Sequence, residues 1–144
     1  MKLYLLNALI TPFEAEMGEY ALFSIQKVEQ EKFEDIFRDA IENDFEIVSA
    51  LGHESTVNFL KETLSDEFSE YLKFDRQTIN FEEGDLALVF RITERGEKIQ
   101  EWSAEDIKKY HREGKTEFMI ISRTYAPDSV FDINNFPYKE AKNG

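Results

Sequence analysis

The sequence predicts an α/β protein with a central mixed sheet of about five strands flanked by helices. Three observations predict it. Leu3 to Ile10 is an almost continuous apolar run, the pattern of a strand covered on both faces. Phe33, Ile36, Phe37, Ala40 and Ile41 recur at helical spacing with charges between them, the pattern of a helix lying on such a sheet. Strand-like and helix-like segments then alternate in mixed order, without internal repeats, low-complexity tracts or linkers. A chain of 144 residues is long enough for one domain that buries roughly 70% of its unfolded surface. That domain is expected over residues 1–125, with a polar C-terminal appendage over 126–144.

The elements follow in order. The first strand should end at Thr11-Pro12. Tyr20 to Val28 reads as a second strand, with Ala21, Phe23 and Ile25 alternating against polar neighbours. A helix follows from about Glu29 and stops at Asn43-Asp44. Phe45 to Leu51 is a short apolar segment running into Gly52, and a second helix begins near His53 with Val57, Leu60 and Leu64 as its buried stripe. Ser65 to Tyr71 is a polar connection or a helix extension. Arg76 to Phe81 and Leu86 to Thr93 read as the two strands of a hairpin, joined by the turn Glu82-Glu83-Gly84-Asp85. Ser103-Ala104-Glu105-Asp106 resembles a capping box, so a third helix should start at Ala104 and end at Gly114. Phe118 to Ser122 is the last strand.

Composition excludes several functions. There are no cysteines, which removes disulfides, thiolate metal sites and thiol catalysis. With two histidines, a multi-histidine zinc site is not expected, and no metal or cofactor is assigned. Thirty acids against seventeen bases give a net charge of -13, the opposite of the broad basic surface that duplex DNA requires. A small anionic ligand in a local basic pocket remains compatible with it. Thirteen Phe, six Tyr and one Trp argue for a folded chain. No apolar run approaches the roughly 20 residues of a membrane helix. The opening apolar stretch is too short for a signal peptide, so a cytoplasmic protein is expected, in the host cell if the gene is viral.

The sharpest local feature is Leu51-Gly52-His53-Glu54-Ser55-Thr56. Glycine admits close approach to the backbone. The helix that follows offers free amides and a positive dipole end to an anion. Ser55 and Thr56 add hydroxyls, and a phosphate held there would favour imidazolium at His53. That is what general acid catalysis at a phosphodiester needs. The same hexapeptide also fits ordinary helix capping by Ser55 or Thr56. A second feature is basic: Arg91 at a strand end, Arg95 and Lys98 in the loop beyond, and Arg76 on the expected partner strand. Guanidinium pairs bidentately with phosphate, although surface pairing with Glu82, Glu94 or Glu97 would use the same residues. His111, among charged neighbours, reads as a solvent-facing helix residue, and Trp102 as a hydrophobic staple before the capping box. There is no glycine-rich phosphate loop and no Gly-x-Ser-x-Gly elbow.

Taken in order, several pieces resemble one family, the small viral and mobile-element ring nucleases that act as anti-CRISPR proteins against type III systems. They are Leu5-Leu6-Asn7-Ala8 with Thr11, Val48 to Thr56 with its Gly-His-acid-Ser-Thr core, and Asp75-Arg76 with Glu83-Gly84-Asp85 and Ala87-Leu88-Val89. Arg91-Ile92-Thr93-Glu94-Arg95 and Tyr110 to Lys115 followed by Phe118 complete the set. The resemblance covers roughly residues 3 to 125 and is weak over about 13 to 45. It implies a homodimer that binds cyclic tetra-adenylate across its interface and cleaves it without metal. A ribose 2′-hydroxyl attacks the adjacent phosphorus, the 5′-oxygen leaves, and linear di-adenylate ending in a cyclic 2′,3′-phosphate results.

Carried over residue by residue, the resemblance makes His53 the general acid, a role suited to a reference imidazole pKa of about 6.5. It makes Arg95 the transition-state arginine and Arg76 a second ligand arginine. Thr11, Ser55 and Thr56, with Asn7 nearby, become hydroxyl and polar ligand contacts around Gly52. Three positions depart from the family pattern. A functional glutamate is expected where Lys98 stands, with Glu97 one residue earlier as its substitute. Arg91 stands where glutamine is usual, and Thr11 where serine is commoner. The Lys98 departure leaves one alternative to the nuclease, a sponge or sensor that binds a cyclic nucleotide without cutting it, and the negative charge and divergent tail leave another, an acidic dimer that binds another protein.

Overall fold

The structure is a computed structural model, and the residues it describes are 1–93 and 103–125. The appendage expected over 126–144, and Arg95, Glu97, Lys98 and Trp102, lie outside the described residues.

Alternate residues of a strand point to opposite faces, so a strand apolar at every position belongs between two covers. The first strand meets that condition. In β1 (Lys2–Leu6), Leu3, Tyr4, Leu5 and Leu6 are all buried. The other elements are β2 (Leu22–Val28), α1 (Gln30–Glu42), β3 (Glu46–Ala50), α2 (Glu54–Thr63), a 3-10 turn (Asp66–Tyr71), β4 (Leu86–Ile92), α3 (Ala104–Arg112) and β5 (Thr116–Thr124). The strands form one five-stranded mixed sheet in the order β2-β5-β4-β1-β3. β1 is parallel to both β3 and β4, while β5 is antiparallel to β4 and β2.

The three helices share one face. Phe33 and Phe37 of α1, Val57, Phe59 and Leu60 of α2, and Ile107 of α3 pack on Leu3, Leu5, Leu88, Phe90 and Phe118. Each large side chain buried this way contributes roughly 1.5–3 kcal/mol of transfer free energy. The opposite face, with Tyr4, Leu6, Ala87, Val89, Met119 and Ile121, is covered among the described residues by Leu9, Ile79 and Phe81 from irregular segments. Arg123 ties that cover down. Its Nη1 donates to the Phe81 carbonyl at 2.5 Å, and its guanidinium lies 5.5 Å from the centre of the Phe13 ring.

Most expected boundaries stand, and three require correction. The first strand stops at Leu6, because its partners run out in register at Ala50 and Val89. The apolar run beyond it leaves the sheet and becomes cover. The expected strand Arg76–Phe81, and with it the hairpin, is absent. β4 already has β1 on one side and β5 on the other, so no edge is left for a hairpin partner. The backbone of the segment is satisfied elsewhere: the Arg76 amide by Asp75 Oδ1, the Asn80 carbonyl by the Tyr4 hydroxyl, and the Phe81 amide by the Pro12 carbonyl. The turn at Glu82–Asp85 does form, with Gly84 at φ +90°, where a residue with a Cβ would be strained. It introduces β4 from a loop. The fifth strand is β3, inside the segment Phe45 to Leu51.

The third correction concerns His111. Ile107 is the buried residue of α3, and His111 lies one turn further along the same helix face. That spacing turns it inward, and it is half-buried. Its Nδ1 is 2.7 Å from Thr116 Oγ1, and its ring meets those of Phe59, Phe118 and Phe90 at 5.4, 6.1 and 6.5 Å between centres. Burial lowers its pKa from the ordinary histidine value. The capping box ahead of it is as expected, with Ser103 and Asp106 exchanging hydrogen bonds at 3.1 and 3.2 Å, and Gly114 closes the helix at φ +73°.

Candidate active site

β1, β3 and β4 are mutually parallel, so their carboxyl ends lie along one rim of the sheet. In open α/β sheets that rim is where ligands are held. Here it carries a cleft of about 360 Å³ lined by Asn7, Ala8, Leu9, His53, Ser55, Thr56, Phe90, Arg91, Ile92 and Ile107. Asn7 follows β1 directly, His53 and its neighbours follow β3, and Arg91 and Ile92 end β4. Among the described residues, three stretches far apart in sequence meet there because three strands end together.

His53 is the N-cap of α2, with an extended backbone at φ -134° and ψ 123°. Its carbonyl accepts the first helical bond from Val57 at 3.2 Å. No hydrogen bond to the side chain of His53, Ser55 or Thr56 is formed among the described residues, so the expected capping by Ser55 or Thr56 is not what these hydroxyls do. The helix start is uncapped by any side chain and keeps its dipole and first-turn amides for whatever enters the cleft. Glu54 in that first turn also complements the dipole. Thr56 is 95% buried yet lines the cleft, and Ser55 and His53 are half-buried.

Asn7 has a structural role here. Its Oδ1 accepts the Gly52 amide at 3.3 Å, which ties the end of β1 to the bend before His53. Gly52 has an ordinary backbone conformation, and a Cβ there would meet only Asn7 Oδ1, at 4.0 Å. Its missing side chain therefore leaves space and relieves no strain.

Arg91 supplies the positive charge of the cleft. Its Nε donates to Glu117 Oε2 at 2.9 Å, and Lys27 Nζ holds the other carboxylate oxygen at 2.7 Å. Arg91 is thus paired with Glu117, which stands opposite it on β5, and Glu94 and Glu97, two of the partners expected from sequence, lie outside the described residues. The Lys27 ammonium, then the Arg91 guanidinium, hold the Glu117 carboxyl below the usual glutamate range.

The structure therefore brings together Asn7, Gly52, His53, Ser55, Thr56 and Arg91 of the expected set. Thr11 and Arg76 do not line this cleft, and Arg76 is exposed in the irregular segment before β4. Sequence reasoning missed the apolar wall of Leu9, Phe90, Ile92 and Ile107, and the partner Glu117. Antiparallel register could have found Glu117 only after the pairing of β4 with β5 was known. No group of three or more His, Cys, Asp or Glu side chains among the described residues could hold a metal ion, and no described helix is long and apolar enough to cross a membrane.

Comparison with known proteins bears on this geometry. The chain aligns with B116 of Sulfolobus turreted icosahedral virus at 27% identity and a TM-score of 0.60, over 85% of this chain and 99% of the viral one. No curated protein matches it in sequence. The model of the STIV B116-like family, named for that viral protein, matches residues 3–118, and the chain belongs to this family.

Proposed function

We propose that the protein is a metal-independent ring nuclease that binds and cleaves cyclic tetra-adenylate, and so antagonises or tunes type III CRISPR signalling. One observation carries the reading. A histidine with no hydrogen bond to its side chain among the described residues stands at a helix start without a side-chain cap, in a cleft that also offers two hydroxyls and an arginine. Membership of a family named for a viral protein, together with the Gly-His-Glu-Ser-Thr resemblance, supports it.

In this reading a phosphate of the ring sits against the first turn of α2. Its oxygens are held by the amides and by the Ser55 and Thr56 hydroxyls. A ribose 2′-hydroxyl attacks the phosphorus and gives up its proton to water, the P–O5′ bond breaks, and the imidazolium of His53 gives its proton to the departing oxygen. Arg91 offsets the negative charge that builds up on the phosphate. A cleft of about 360 Å³ is smaller than a ring of four nucleotides. A twofold pair of protomers, each acting on one phosphate, would accommodate the whole ring and yield two linear di-adenylates. Arg76 and Thr11, away from this cleft in one protomer, would then meet the ring from the partner or beyond the cleft's edge.

One observation favours a second reading. Among the described residues, no carboxylate lines the cleft, so no base is evident to take the 2′-hydroxyl proton. A protein of this kind would bind the ring tightly and turn it over slowly or not at all. Incubating purified protein with cyclic tetra-adenylate in EDTA, at stoichiometric enzyme, separates the two. Linear di-adenylate with a cyclic 2′,3′-phosphate is the expected product. Tight binding with the ring intact after long incubation would leave the sponge, and absence of binding would remove both.

A further inference from the structure

We propose that Glu117 is a positioning residue for the cleft, holding Arg91 so that its two terminal nitrogens are presented to an anionic oxygen of the bound ligand. The inference deepens the reading of this same cleft as an anion site and rests on it.

The argument begins with register. Arg91 and Glu117 are directly opposed on the antiparallel pair β4 and β5, so both side chains emerge on one face at the shortest cross-strand spacing. Arg91 is the last but one residue of β4 and lines the cleft, whereas Glu117 does not. The contact between them is specific in its atoms. Glu117 Oε2 takes Nε at 2.9 Å, and no hydrogen bond to Nη1 or Nη2 is made among the described residues. A guanidinium gripped by Nε keeps its outer pair of nitrogens, the pair that matches two oxygens of a phosphate.

Lys27 of β2 engages Glu117 Oε1 at 2.7 Å, so the carboxylate is fixed from both sides. Its side chain is only 18% exposed, against 68% for Lys27 and 35% for Arg91. The least exposed member of the triad is thus the carboxylate that joins the two cations, of which Arg91 lines the cleft. Without Glu117, a long side chain at the end of a strand would sample many rotamers, and ordering it would weaken binding.

The test uses the full chain labelled with nitrogen-15. The Arg91 Nε–H signal is identified by its loss in Arg91→Lys. It should exchange with solvent more slowly than the signals of exposed arginines, and Glu117→Gln should abolish that protection. For cyclic tetra-adenylate, Glu117→Gln should raise Kd by roughly tenfold, about the value of one charge-assisted contact, and lower kcat/KM by at least as much, since Arg91 also meets the charge that builds up on the phosphate. Glu117→Asp should recover part of the loss. In an Arg91→Ala background, Glu117→Gln should add nothing further.

An equal loss in that background, or an unprotected Nε–H in the parent protein, would overturn the proposal. If cyclic tetra-adenylate does not bind at all, inorganic phosphate is titrated on the same signal. A shift in the parent but not in Glu117→Gln would keep the positioning role while the nuclease reading falls. No response of Arg91 to either anion would end both.

Discussion

His53 opens one helix and His111 closes another, and both stand beside the same cleft, one lining it and the other packed behind Phe90. Their surroundings differ in every respect that matters for proton chemistry. The His53 ring is half-buried and makes no hydrogen bond to a described residue, and it shares its cleft with hydroxyls and a guanidinium. The His111 ring is bound to Thr116 and set among three phenylalanines. An imidazole with unfilled bonding capacity at a polar opening is available to a ligand. One that is satisfied within the protein acts as an aromatic wedge with a polar handle. The comparison assigns chemistry to the first and packing to the second, and substitutions can break it.

The largest expected effect is on catalysis. His53→Ala should lower the rate of ring cleavage by roughly 10²- to 10⁴-fold, the usual worth of a general acid, while thermal unfolding stays close to that of the parent. Among the described residues the side chain has no hydrogen bond to lose. A variant that cleaves normally would transfer the acid role elsewhere, and one that unfolds would show that His53 supports the fold as His111 does.

The mirror experiment is His111→Ala. Removing a ring wedged between Phe59, Phe90 and Phe118 leaves a gap and strands the Thr116 hydroxyl, at a cost of about 2 kcal/mol in unfolding free energy. Denaturant titration reads it directly, as a lower midpoint with an unchanged slope. Because the gap opens behind Phe90 and not in the cleft, folded His111→Ala should still cleave. Loss of activity without loss of stability would reverse the two assignments.

This contrast also shows what was legible in the sequence. The helix starts, the capping box at Ser103 and the Gly114 stop are local chemistry, and all of them were readable. So was the hexapeptide around His53, because one bend holds the whole constellation. The hairpin at Arg76–Phe81 was misread for a non-local reason. Alternation made that segment look like a strand, but strand pairing is decided by neighbours, and both edges of β4 were taken by β1 and β5. His111 was misread because charged neighbours were weighed above its spacing from Ile107. The partner of Arg91 was illegible because Glu117 is 26 residues away and meets it only through sheet register. Local signals located His53, and topology supplied the rest of the cleft.

The smallest effect sharpens the comparison most selectively. Burial lowers the folded-state pKa of His111, so the unfolded chain binds more protons than the folded one as pH falls below about 6.5. Its contribution to stability is therefore complete above the unfolded value and is lost as pH falls toward and through the folded one. Linkage limits the change between pH 7 and pH 6 to at most about 0.7 kcal/mol, even for a ring that never protonates in the fold. Unfolding free energies of the parent and His111→Gln, measured at both values, should therefore converge on acidification, since glutamine takes up no proton. If the parent and His111→Gln lines stayed parallel, His111 would take up its proton in the fold as freely as in the unfolded chain, and the packing role assigned to it would fall.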